Sequence, residues 1–313
     1  MAEGFRELLE GFGKSLVVRG FAAKSVQSYQ GHLKPFFSFL EARGKDDLRR
    51  VLRDDLLAYQ VEWTEARTEK EKPYQWGTLC LKTRAVKRFF EWLEETGRVF
   101  LNPAEGVREP RRETRLPKVV LTEDQVKRLL EAPDYSKPMG IRDKTILEVF
   151  YSTGIRLGEL LALKIPDVDF EGGLLRVNQG KGAKDRVVPL GETAQKYLKG
   201  YLSQVRPMWE RNWKGETAFF LNRHGDPVTA TIVGKLVRDY AKKAGLEVTV
   251  TPHTLRHTFA THMVRHGADL TVVQRILGHT DLYVTQIYTH VAGVDVKKTH
   301  QETHPREVEV AHA

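Results

Sequence analysis

A single cysteine, Cys80, occurs in 313 residues, so an intramolecular disulfide is excluded, and with it most zinc frameworks. That scarcity fits a reducing cytoplasm. No apolar run approaches the roughly 20 residues that span a bilayer, so a membrane is not an expected partner. The first twenty residues carry Glu3, Glu7 and Glu10 where a secretion signal would be basic and then apolar, and no such signal is expected. A His-Glu-x-x-His pattern is absent. His253 and His257 stand four apart, as two zinc ligands would, but without a cysteine cluster beside them no metal is expected. The run at 180–184 (GKGAK) lacks the spacing of a nucleotide-binding P-loop. No internal repeat is found, and no low-complexity tract outside residues 102–118.

What the chain does have is positive charge. The net charge is +9 and the pI near 9.4, which favours an anionic partner. Up to Arg115 there are 22 basic and 18 acidic residues, and beyond it 28 and 23, so the two parts carry +4 and +5. An even split suits a chain that grips a polyanion with both lobes rather than through a basic tail.

Residues 1–101 read as helical. Phe5, Leu8, Leu9 and Phe12 open one amphipathic helix. Residues 25–40 carry Val26, Tyr29, Leu33, Phe36, Phe37 and Leu40 at a 3.6-residue period, and residues 48–63 form a third, less regular segment. A charged loop at 68–73 precedes a fourth helix over 77–93. There Leu79, Val86, Phe89, Phe90 and Leu93 share one side, while Arg84, Lys87 and Arg88 share the other. That cationic ridge is either a track for a DNA backbone or a solvated face. Lys82 interrupts the apolar side, where a long stem can snorkel. Residues 102–118 are rich in proline and charge, lack periodicity and read as a linker. Its Arg108, Arg111, Arg112 and Arg115 are placed to follow phosphates.

A second domain, 119–313, opens with a helix capped near Thr122 and containing Val126, Leu129 and Leu130. An apolar helix over 142–151 is closed by Gly154. Arg156 and Glu159 follow at the start of another helix, where the carboxylate either orients the guanidinium from behind or forms an ordinary surface pair. Residues 168–190 are the one clear β region, three short strands joined by glycine turns. Lys181, between Gly180 and Gly182, sits at a hairpin tip, either pressed against a ligand or left as an exposed turn lysine. Lys184 and Arg186 keep that tip cationic and, with Arg84, Lys87 and Arg88, are the expected DNA-binding residues. Helices are expected over 192–205 and 228–245.

Residues 251–290 read as three short helices with tight turns, the first capped by Thr251 with Pro252 at its first position and ended near Gly267. The second starts at Asp269 or Thr271 and runs to Gly278. His253 and Arg256 project from one face of a helix start, where free N–H groups favour an anion. An arginine fork matches two phosphate oxygens and an imidazole moves protons near neutral pH. His279 follows the glycine that ends the second helix. Tyr288 offers a hydroxyl nucleophile, although a phenol with a pKa of about 10 needs cations and a base beside it. Together the stretch proposes phosphoryl transfer.

Taken in order, Gly154-Ile155-Arg156, Gly180-Lys181-Gly182, His253-x-x-Arg256, Leu277-Gly278-His279 and Gln286-Ile287-Tyr288-Thr289-His290 resemble the motifs of the tyrosine recombinase (phage integrase) family, nearest to its Xer-type branch. The resemblance covers essentially the whole chain. It implies a mainly α fold with a small antiparallel β-sheet: a helical core-binding domain (1–101), a linker (102–118) and an α+β catalytic domain (119–313). It also implies roles. Arg156 and Arg256 would clamp the scissile phosphate and Lys181 would protonate the leaving 5′ oxygen. His253 would handle protons, His279 would bind phosphate, and Tyr288 would form a 3′-phosphotyrosine. No metal or nucleotide cofactor is implied, because the phosphotyrosine conserves the bond energy. The implied partner is a double-stranded DNA site holding two protomers, with four in the synapse and a second recombinase as a further candidate. By the same resemblance the tail after Lys297 would dock on a neighbouring subunit. Tyr283 stands where similar proteins often carry a small residue, so two tyrosines compete, and the spacing from His279 favours Tyr288. Two alternatives remain on the same residues: a topoisomerase-like strand swivel and a catalytically idle DNA-binding factor.

Overall fold

The computed structural model describes residues 3–67, 71–110, 119–178, 185–210 and 217–278. It divides the chain into two compact units, Met1–Thr114 and Arg115–Ala313. The chain is mainly α-helical with one small antiparallel sheet, as the sequence leads one to expect.

The first unit is built from α1 (Glu3–Val18), α2 (Ala23–Ala42), α3 (Arg53–Glu65) and α4 (Trp76–Glu95). Phe5, Leu9, Phe12 and Leu16 recur every three to four residues on α1, which turns one stripe inward. That stripe meets Phe36 and Phe37 of α2 and Phe89 and Phe90 of α4 in an aromatic core. Phe12 lies edge-on to Phe89 at 5.5 Å, and Phe5 stacks on Phe37 at 4.8 Å.

Two expectations are corrected here. The segment read as one helix over 48–63 is broken: a 3-10 turn, Leu48–Arg50, capped by Asp47, ends before α3 begins. The Asp55 carboxylate accepts the Leu52 N–H at 2.8 Å and starts the new helix, a local contact that outcompetes continuation. Lys82 does not snorkel outward. It is 6% exposed, and its ammonium lies 3.0 Å from the Trp63 ring centroid, with Tyr74 beyond. Burial pushes its pKa down to about 8. Residues 102–110, at the start of the stretch read as a linker, are packed on this unit through buried Ala104 and Val107.

In the second unit α5 (Glu123–Glu131) precedes α6 (Pro138–Thr153), whose length is buried nearly all round. A short α7 (Leu157–Ala162) leads through a 3-10 turn into β1 (Val168–Asp169), β2 (Leu174–Val177) and β3 (Arg186–Pro189). The sheet order is β1-β2-β3, antiparallel throughout, with Val177 opposite Arg186. Then come α8 (Glu192–Gln204), α9 (Arg206–Trp209), α10 (Ala230–Lys243), α11 (Pro252–Arg265) and α12 (Leu270–Leu277). Trp209, the last residue of α9, enters the core of this unit.

Gly154 ends α6 in the left-handed region, at φ 61°, and a Cβ there would sit 2.4 Å from the Phe259 ring. That contact brings α11 against the α6–α7 turn. His262 of α11 is held from two sides: its Nε2 lies 2.8 Å from the Leu121 carbonyl and its Nδ1 2.9 Å from the Tyr151 hydroxyl. A carbonyl only accepts, so Nε2 carries the hydrogen and Nδ1 accepts from Tyr151. Among the described residues, no helix is long and apolar enough to cross a membrane.

Candidate active site

Three guanidinium groups converge on the last carbonyls of α12. Arg186 Nε donates to Ile276 O at 2.7 Å, Arg256 Nη2 to Leu277 O at 2.6 Å and Arg156 Nη2 to Gly278 O at 3.2 Å. A helix C-terminus leaves its carbonyls without intrahelical donors and carries partial negative charge, so it collects cations. Arg256 also donates to Gly154 O at 2.7 Å and thereby ties α11 to the turn that carries Arg156.

Each arginine arrives by a local rule. Arg156 is the residue before α7, two positions after the left-handed Gly154, and its N–H is accepted by Glu159 at 2.8 Å. Arg256 stands one turn into α11, whose start is fixed by the Thr251 hydroxyl accepting the Thr254 N–H, with Pro252 at the first position. Arg156 keeps a side chain 30% exposed, whereas Arg256 is 3% exposed.

Glu159 is the counter-charge. Its Oε1 accepts from Arg156 Nη1 at 2.8 Å and Arg186 Nη1 at 2.9 Å, and its Oε2 from Arg186 Nη2 at 2.8 Å. Burial alone would raise its pKa. The hydrogen bond from Arg186, the Arg156 N–H and the Arg186 charge overcome that penalty and hold it at about 2. Glu159 therefore backs Arg156 from behind rather than forming a surface pair.

His253, on the first turn of α11, is exposed, and its Nε2 lies 2.8 Å from the Nε2 of His257. Between two neutral rings one nitrogen donates and the other accepts; a second proton would set two N–H groups against each other. Burial, then the charges of Arg256 and Arg156, lower the His253 pKa. Burial, then His253 and Arg256, bring His257 to about 4. Both rings are thus neutral near pH 7. The unfolded His257 protonates near 6.5, so the folding free energy it carries is fully present above that pH. It is lost as pH falls from 6.5 towards 4, since the unfolded chain takes up a proton that the folded one refuses. For a fully shielded ring the slope would be about 1.4 kcal/mol per pH unit, and partial solvent contact makes it smaller. His257→Gln should flatten the fall of the urea midpoint across this window. An unaltered slope would mean that the ring titrates elsewhere.

Arg186 departs from its expected place. Instead of keeping the hairpin tip cationic it is folded inward, 13% exposed, onto Glu159 and α12. Alternation along β3 carries the signal: residues 186, 188 and 190 share one face, and Val188 and Leu190 are buried. Arg84, Lys87 and Arg88 are engaged on their own unit. Arg84 pairs with Glu109 at 2.7 Å, Lys87 donates to Val107 O at 2.9 Å and Arg88 meets Glu91 at 3.3 Å. Lys181, Lys184, His279, Tyr283 and Tyr288 lie outside the described residues, as do Arg111, Arg112 and Arg115.

A buried Arg256 and a partly exposed Arg156 beside a helix start, with neutral imidazoles next to them, form a cationic arrangement suited to an anionic group such as a phosphate. Residues 119–293 match the phage integrase family, and residues 9–97 match the phage integrase N-terminal SAM-like domain. The chain belongs to the phage integrase, or tyrosine recombinase, family. It is 37% identical over 302 residues to tyrosine recombinase XerD of Listeria monocytogenes serotype 4b, covering 96% of this chain and 99% of that one. With tyrosine recombinase XerC of Herpetosiphon aurantiacus the identity is 40% over 289 residues, covering 92% and 91%. The structure of XerH site-specific recombinase bound to difH substrate, a pre-cleavage complex, aligns with a TM-score of 0.66 at 25% identity. It covers 85% of this chain and 77% of that one. Within the family the chain is a Xer-type enzyme of site-specific recombination, which breaks and rejoins DNA strands.

Proposed function

We propose that this recombinase cuts each strand by attack of Tyr288 on a phosphodiester held between Arg156 and Arg256. The observation that carries this reading is the pair of guanidiniums fixed on neighbouring carbonyls of α12, one buried and one partly open. Rigid cations aimed where charge develops stabilise the pentavalent phosphate most, because nothing need reorganise as the reaction proceeds. His253, neutral and bonded to His257, accepts or passes the phenolic proton. Lys181 protonates the departing 5′ oxygen, and His279 adds a phosphate contact. The 3′-phosphotyrosine stores the bond energy, so rejoining needs no metal or nucleotide.

The partner is double-stranded DNA, bound by one protomer on each half-site and by four protomers in the synapse, with a second recombinase sharing the work in the Xer manner. The role is chromosome dimer resolution or the movement of an element, in the cytoplasm on the nucleoid. Arg84, Lys87, Arg88 and Lys184 contribute to the grip; the surface pairs of Arg84 and Arg88 are worth at most about 1 kcal/mol each and exchange readily for phosphates.

Covalent trapping on the host's own DNA tests this. Fragments incubated with the protein, denatured and recovered through the protein should share one short sequence with two inverted half-sites. Two copies of that sequence on one plasmid should then yield a recombinant. Adducts scattered without a common sequence, together with plasmid relaxation and no recombinant, would establish the strand swivel instead. No adduct at all would leave the idle DNA-binding factor.

A further inference from the structure

Arg186 engages all three of its guanidinium nitrogens inside the protein. Nε donates to Ile276 O at 2.7 Å, while Nη1 and Nη2 meet the two oxygens of Glu159 at 2.9 and 2.8 Å. Its stem passes against Gly278, the left-handed cap of α12 at φ 65°. A Cβ on that glycine would stand 3.1 Å from the arginine's Cδ and Nε and 3.2 Å from its Cζ. One side chain from β3 thus touches the carboxylate that backs Arg156 and the turn that ends α12. Glu159 divides its charge between Arg156 and Arg186, so the pose of one guanidinium depends on the other. A lysine ammonium cannot reproduce this planar, three-bond arrangement.

We propose that Arg186 is a positioning residue for strand cleavage: by locking Glu159 and the carbonyl end of α12, it fixes the guanidinium of Arg156 toward the scissile phosphate. This rests on the reading that Arg156 binds that phosphate. The three nitrogens of Arg186 are already engaged by Glu159 and Ile276 O, so no phosphate contact is assigned to it.

The test compares wild type, Arg186→Met, Arg186→Lys and Arg156→Ala on a nicked duplex carrying the trapped site. One substrate has an ordinary phosphodiester at the cleaved linkage. The other has a methyl group in place of one nonbridging oxygen, which removes the negative charge that Arg156 would neutralise. On ordinary DNA both Arg186 variants should cleave more slowly, Arg186→Met by roughly 10²-fold, the loss that a misplacement of about 1 Å produces. On the uncharged linkage that deficit should shrink toward wild type, as should that of Arg156→Ala. Non-specific binding should keep its salt slope in both Arg186 variants, since no phosphate contact is lost.

Should Arg186→Met fail to fold, which thermal unfolding reveals, Arg186→Lys keeps the charge and most of the packing and carries the comparison. A deficit in the Arg186 variants that is equal on the two linkages, while that of Arg156→Ala shrinks, overturns the positioning role and leaves only structural support. A salt slope reduced by about one unit makes Arg186 a DNA contact and also overturns it. If Arg156→Ala is itself equally impaired on both linkages, the phosphate clamp fails, separately from any property of Arg186.

Discussion

Phenylalanine at position 288 should abolish the covalent protein–DNA adduct while folding and DNA binding persist. The change deletes one oxygen and keeps the ring, so any packing role of the side chain survives. A phenol is a poor nucleophile at neutral pH, but nearby positive charge favours the phenolate, and Arg156 and Arg256 supply that charge in the proposed site. With its oxygen gone, position 288 can form no phosphotyrosine, so adduct formation should fall by roughly 10⁴-fold or more, the scale of removing a covalent nucleophile. Tyr283→Phe should leave the adduct intact. A suicide duplex nicked beside the cleavage point, resolved on a denaturing gel and followed by peptide mapping, reads both variants. Adduct retained by Tyr288→Phe, or mapped to Tyr283, would overturn the assignment of the nucleophile.

Arg256→Ala should damage stability and chemistry together. The side chain is 3% exposed and donates to Gly154 O and Leu277 O, two carbonyls on separate elements. Truncation strips both of a charged donor and opens a cavity, a loss of about 3–5 kcal/mol. Hydrogen exchange across α11 and α12 reads that loss locally, even where the two units unfold independently. Cleavage by the fraction still folded should drop by at least about 10²–10³-fold, the value of a preorganised donor to developing charge. Arg256→Lys separates the effects, since an ammonium restores the charge but cannot span both carbonyls as a fork. It should recover part of the stability and little of the rate. Full cleavage by folded Arg256→Lys would show that charge alone suffices, and full cleavage by folded Arg256→Ala would remove this residue from the clamp.

Helix content and caps are local properties, and the sequence by itself determined them. Phe5, Leu9, Phe12 and Leu16 recur at helical spacing; Thr122 and Thr251 cap their helices, and Gly154 and Gly278 end theirs in the left-handed region. The pairing of Arg156 with Glu159 is likewise a three-residue relation, as is the adjacency of His253 and Arg256 on one helix face. Such features depend on neighbours within about a turn, so a linear reading reaches them.

Tertiary structure decided where the long cationic side chains went. Arg186 was expected on an exposed hairpin, but its partners are Glu159, 27 residues earlier, and Ile276, 90 residues later. Arg84 stands on a cationic ridge in sequence and meets Glu109, 25 residues away, once residues 102–110 fold back. Lys82 breaks an apolar stripe and finds the rings of Trp63 and Tyr74. A flexible stem of three or four methylenes reaches several alternative partners. Which one it takes depends on which remote carboxylate, carbonyl or ring the fold brings within about 3–6 Å, since that contact must outweigh both hydration and the lost rotamer entropy.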